Sequence, residues 1–195
     1  DRYNACTDFY RNNRFENAEK KVYSLIDYNI ADAVVIFSEA FRDTSIVDEL
    51  RMGAEAHNVP VFILGNRSEK CTSFIFDYEA GFEQAVRHII EYHGITDTAM
   101  IAGLKGEEHS EQRIAVYKKV LAENGLPFND NMLSYGDYWS GPAQKAVEDM
   151  VAENRVPKAI ICANDMMAIT ACAVLNRHGY KVPDDVAVVG FDGTE

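Results

Sequence analysis

The chain has 195 residues, 47% of them hydrophobic, and a formal net charge of −12. That length is enough for a sizeable core in one domain or two small lobes. The acidity argues against nucleic-acid contact by this segment, since phosphate binding is dominated by Lys and Arg, and no apolar run reaches the roughly 18 residues that span a bilayer.

Residues 1–13 are polar and aromatic without a period. From Phe15 the apolar positions Phe15, Ala18, Val22, Leu25 and Ile26 form a helical stripe. Ala33 to Phe37 reads as a buried strand. Thr44 is placed to cap a helix carrying Ile46, Val47, Leu50 and Ala54, and Pro60 ends the loop before a strand over Val61 to Leu64. Ser73 to Phe76 is a further strand, leading through Asp77 into a helix with Phe82, Ala85, Val86, Ile89 and Ile90 on one face.

Gly94 closes that helix and the alternation begins again. Thr98 to Ala102 is a strand, Ser110 caps a helix with Ile114, Tyr117, Val120 and Leu121, and Gly125 and Pro127 break it. Met132 to Tyr135 is a strand, followed by a helix capped by Ser140. Ala159 to Ala163 is the next strand. Asn164 and Asp165 offer cap acceptors to a helix, Met166 to Leu175, that is apolar almost all round and should be buried on more than one face. Val186 to Phe191 is the last strand, ending at Asp192. Strands alternating with helices imply an α/β fold of parallel sheets with helices on both faces. Three strands precede Gly94 and four follow, which suggests two lobes, residues 1–94 and 95–195. Ligands of open α/β sheets bind outside the carboxyl ends of the strands, where Asn164 and Asp192 both fall.

Catalytic motifs are lacking. There is no G-x-S-x-G elbow, and the turn GLKGEE has neither the Lys-Ser/Thr pair of a phosphate loop nor a G-x-G-x-x-G spacing. His88 and His93 are five apart in HIIEYH, not the four that puts two imidazoles on one helical face, so no metal or cofactor is expected. Asp184 and Asp185 read as a solvated turn. Cys6, Cys71, Cys162 and Cys172 include no C-x-x-C pair; Cys162 and Cys172 read as small core hydrophobes, and a reducing cytoplasm is the simplest compartment. The first residue is not Met and no signal-peptide pattern follows it, so the amino end reads as a cut.

The forty residues from Val156 to Glu195, with AIICAND, MMAITACAVL and VPDDVAVVGFD in order, resemble the C-terminal subdomain of the LacI/GalR family of bacterial regulators. The resemblance implies a two-lobed periplasmic-binding-protein-like fold, without the family's first strand and helix and without its final crossover. It implies a small-molecule effector of the sugar, nucleoside or purine class held between the lobes, a homodimer, DNA reached only through a separate helix-turn-helix, and no membrane. The arginine of the S-x-x-R segment, Arg113, matches an effector contact, with a surface arginine paired with Glu111 or another acid as the alternative. Tyr138 matches an aromatic after the family's G-D pair; core or hinge packing is the alternative for it and for its neighbour Trp139. Asn164 matches a residue beside the ligand and Asp192, in GFD, one that accepts hydrogen bonds from it, while Asp165 is read as the helix cap. Asp77 is a candidate approaching the cleft from the first lobe. Rival readings are a sensor fused to a signalling enzyme such as a diguanylate cyclase, a periplasmic sugar-binding protein, and an orphan α/β enzyme.

Overall fold

The computed structural model describes residues 22–38, 45–65 and 67–194. Most of the stripe expected from Phe15, the Thr44 cap and Cys6 lie outside the described residues. The chain forms two compact units, Asp1–Phe76 and Asp77–Glu195.

The first unit holds three parallel strands in the order β1 (Val34–Phe37), β2 (Val61–Leu64), β3 (Thr72–Phe74), with helix α1 (Ser45–Ala56) between β1 and β2. Val34 pairs with Val61 and Phe62 with Thr72. Its core is built from Ile36, Ile46, Leu50, Ala54, Val59, Val61 and Ile63. Alternation along β1 turns Ile36 inward and leaves Val35 and Phe37 exposed. The strand expected to be buried is therefore buried on one face among the described residues. Arg51 is buried in α1, where it donates to Asp48 and Glu55 one helical turn away on either side. Two carboxylates offset the desolvation of one guanidinium.

The second unit opens with α2 (Tyr78–Arg87), which runs into a π-helical turn (His88–Tyr92). Then follow β4 (Thr98–Ala102), α3 (Glu108–Glu123), a 3-10 turn (Asp130–Met132), β5 (Leu133–Tyr135), α4 (Ser140–Ala152), β6 (Ala159–Cys162), α5 (Asp165–Arg177) and β7 (Ala187–Val189). All four strands are parallel, in the order β5-β4-β6-β7, with Met100 opposite Leu133 and Ile161 opposite Val189. Every residue of β4 and β6 is buried, as continuous apolar runs covered on both faces require. Phe82, Val86, Ile89 and Ile90 join the core of this unit and α2 packs on α3. A helix that the sequence groups with the first lobe thus has its apolar face in the second. Tyr117 and Thr98 share a buried hydrogen bond of 2.8 Å, and burial pushes the Tyr117 hydroxyl up to about 12.

Several helix starts differ from expectation for one reason: the residue with the usual capping chemistry is not always the one outside the helix. Glu107, not Ser110, caps α3, accepting from the backbone N–H groups of His109 (3.0 Å) and Ser110 (2.8 Å). Ser110 lies one turn inside and is fully buried. Trp139 precedes α4 without a side-chain cap bond, and Ser140 is its first residue. Asn164 caps α5 through a 3.0 Å bond from the Met167 N–H, so Asp165 is not the cap. Nor is α5 buried all round. Met167, Ala168, Ala171, Val174 and Leu175 face the core, while Met166 and Ile169 are 47% and 60% exposed.

Candidate functional site

Parallel strands bring the loops after β4, β5, β6 and β7 to one edge of the second sheet. The loop after β4 supplies Glu107 and, one turn into α3, Arg113. The loop after β5 turns through two left-handed residues, Asp137 (φ 52°) and Tyr138 (φ 62°). This conformation sends the Tyr138 ring across Gly103, where any β-carbon would collide with it. Gly103 is needed for that approach.

Tyr138 is the junction of the site. Its hydroxyl donates to Glu107 Oε2 (3.0 Å) and accepts from Arg113 Nη1 (3.1 Å), and its carbonyl accepts from Asn164 Nδ2 (3.3 Å). Glu107, already the cap of α3, therefore also holds the phenol, and Asn164 both caps α5 and grips the β5 loop. Burial, reinforced by Glu107, pushes the Tyr138 hydroxyl well above its ordinary range. At the pH of a cell it is a neutral donor.

Arg113 is buried, with its guanidinium carbon 4.9 Å from the Phe191 ring centre and 5.7 Å from that of Tyr138. Both rings are within cation–π range of the guanidinium, Phe191 the nearer. Phe191 is fixed in turn by edge contacts with Phe82 and Tyr78. Arg113 Nε and Ser110 Oγ are buried without a hydrogen-bond partner among the described residues. Such groups usually carry a cost of about 1–3 kcal/mol each and call for an explanation, a ligand being one. Glu111, the partner considered for Arg113, instead accepts the Gly106 N–H at 2.8 Å.

Asp192 follows Phe191 with φ 138°, a region that side chains other than glycine rarely occupy. Although the residue is exposed as a whole, desolvation of its carboxyl raises its pKa, opposed by Arg113 and reinforced by Asp165. Among the described residues it accepts no hydrogen bond, which leaves its acceptor sites free. Asp165 accepts from the Thr194 N–H (2.6 Å) and hydroxyl (3.0 Å), tying the segment after β7 to the start of α5. Asp77 caps α2 through a 2.9 Å bond from Ala80 N–H, is exposed, and is not in this network. Trp139 is 58% exposed and not core.

The structure thus brings Arg113, Tyr138 and Asn164 together, with Asp192 within electrostatic reach of Arg113. Sequence reasoning missed Glu107 and Phe191. Glu107 was legible as an acidic residue at the end of a post-strand turn; Phe191 looked like the last residue of a strand. An open cavity of about 450 Å³ lies at the opposite, amino-terminal edge of the sheet beside Pro157, Lys158 and Asp185, and has none of these residues in its lining. Among the described residues no group of three or more His, Cys, Asp or Glu is placed to hold a metal ion, and no helix is long and apolar enough to cross a membrane.

Residues 86–195 match the family model of the periplasmic binding protein-like domain. The chain is 30% identical over 155 residues to the HTH-type transcriptional repressor PurR of Vibrio campbellii, covering 78% of this chain and 46% of that protein. It is 29% identical over 163 residues to the probable HTH-type transcriptional repressor ExuR of Bacillus subtilis, covering 83% and 47%. It therefore spans about half the length of the curated relatives it matches. Among solved structures, a sugar-binding transcriptional regulator of the LacI family from Escherichia coli, complexed with phosphate, superposes with a TM-score of 0.68 at 30% identity, covering 84% of this chain and 58% of that one. The chain belongs to the periplasmic binding protein-like domain family, in the form that LacI-family transcriptional regulators carry as their effector-binding domain.

Proposed function

We propose that a small polar molecule of the sugar, nucleoside or purine class binds at the carboxyl edge of the second sheet. Arg113, held by the Phe191 ring and the Tyr138 hydroxyl, donates to it, Asp192 accepts from it, and Tyr138 and Asn164 border it. Asp77 is left to its capping role. The single observation that supports this reading most is the buried Arg113 guanidinium, held by the Phe191 ring and by a hydrogen bond to Tyr138 while its Nε has no partner among the described residues. In the resulting regulator, differential affinity for two arrangements of the lobes converts binding into output. That output is DNA binding by a homodimer through a helix-turn-helix, in the cytoplasm, with no catalytic step.

The test is a thermal-shift screen of the full-length protein against sugars, nucleosides and purines. A true effector at a hundredfold excess over its Kd stabilises by about 2.7 kcal/mol. Arg113→Ala and Asp192→Ala should each abolish that shift. Equal stabilisation of both variants would overturn the site assignment.

A further inference from the structure

The second unit carries a pair of histidines that the effector site does not use. An α-helix separates residues five apart, but the turn over His88–Tyr92 is π-helical, closed by a 3.1 Å bond from the His93 N–H to the His88 carbonyl. In a π turn residues i and i+5 lie on one face. His88 Nε2 and His93 Nε2 are consequently 3.0 Å apart, and both side chains are exposed. Tyr92 orders them, stacking on His88 (centroids 5.0 Å, 11° between planes) and meeting His93 edge-on (5.0 Å, 89°).

We propose that His88 and His93 are a bidentate chelate for a divalent transition-metal ion of tetragonal geometry, Cu²⁺ before Ni²⁺. With metal–nitrogen bonds of about 2.0–2.1 Å, two nitrogens 3.0 Å apart subtend about 94° at a shared ion. That is the cis angle of a square-planar or octahedral site; a tetrahedral ion such as Zn²⁺ needs the nitrogens about 3.3–3.4 Å apart. Rings that point both Nε2 lone pairs at one such ion have centroids about 4.7 Å apart, and these are 4.5 Å apart with planes at 86°. Both separations match those that a shared ion requires; the ion would replace the proton shared by the two nitrogens, and water would complete the coordination. Among nitrogen-ligated divalent ions, Cu²⁺ binds most tightly. The pair begins six residues beyond Phe82, about 9 Å along the helix axis from the nearer edge contact with Phe191, and shares no residue with the effector site. This inference therefore stands or falls independently of the effector reading.

The competing account is a neutral imidazole pair sharing one N–H···N hydrogen bond. Titration of Cu²⁺ into the 195-residue chain, followed by calorimetry and electron paramagnetic resonance, separates the two. The expected result is one site with nitrogen hyperfine coupling from two imidazoles, weakened about tenfold or more by His88→Ala and by His93→Ala. Selective paramagnetic broadening of the His88 and His93 ring signals checks the same point in the unsubstituted chain. Failure to bind Cu²⁺, binding indifferent to both substitutions, or broadening confined to other histidines would overturn the proposal.

Discussion

At the scale of single residues, Asp192 combines two costs that a purely structural residue would avoid. Its backbone occupies a region that normally costs about 1–3 kcal/mol outside glycine, and its carboxyl is partly desolvated. Asp192→Gly should therefore raise the stability of the second unit by roughly 0.5–2 kcal/mol, read by thermal or urea unfolding, while effector binding is lost. A fall in stability would show that Asp192 stabilises the fold. Its titration gives a second test. A raised carboxyl pKa means that the folded state holds its proton more tightly than the unfolded state. The resulting stability is present below the ordinary carboxylate pKa and is lost as pH rises through the raised one. A ligand that donates hydrogen bonds is held best by the ionised form, which accepts at both oxygens. Effector affinity should thus weaken as pH falls through that raised value, and Asp192→Asn should bind weakly with a flat profile. The position of Asp192 was readable from the last strand's end. Its backbone conformation was not, because a non-glycine φ of 138° is imposed by the tertiary setting of the β7 loop.

At the scale of elements, the boundaries of β2 and β4 follow directly from apolar runs between turn signals. The caps follow less well, because a capping side chain must leave the helix at the right residue, and composition only restricts the choice. Asn164 and Asp165 are adjacent acceptors with different tasks, one capping α5 and the other holding Thr194. Asn164→Ala should cost about 0.5–2 kcal/mol of stability, the usual worth of an N-cap, and should also loosen Tyr138 by removing the bond to its carbonyl. Asp165→Ala should spare the cap. Equal loss from both, measured by chemical denaturation, would contradict that division. The histidine spacing failed for a related reason. Counting by α-helical periods assumes an α-helix, and the π turn shifts the face by one residue.

For the whole molecule, alternation of strands and helices made the parallel sheets legible, and it also pointed to the sheet edge at which the proposed site lies. The membership of α2 was not legible, since an amphipathic stripe says that a face is buried without saying against what. The exposed Met166 and Ile169 on α5 pose the same question for the assembly. They supply apolar area of the kind that subunit contacts cover. If the proposed homodimer forms through α5, Ile169→Asp should shift the protein from dimer to monomer in sedimentation, with the fold intact by circular dichroism. An unchanged sedimentation coefficient would remove α5 from the interface.

The Asp165–Thr194 tether bears on how such an assembly could carry a signal. Through it, the segment that holds Asp192 is tied to the first turn of α5, with the proposed effector-binding carboxylate on one side and the exposed apolar residues of α5 on the other. In the proposed regulator, effector binding at one side would bias subunit association at the other. Linkage then requires reciprocity: the factor by which effector changes subunit association must equal the factor by which association changes effector affinity. Two short hydrogen bonds to one carboxylate would set how much of that exchange survives.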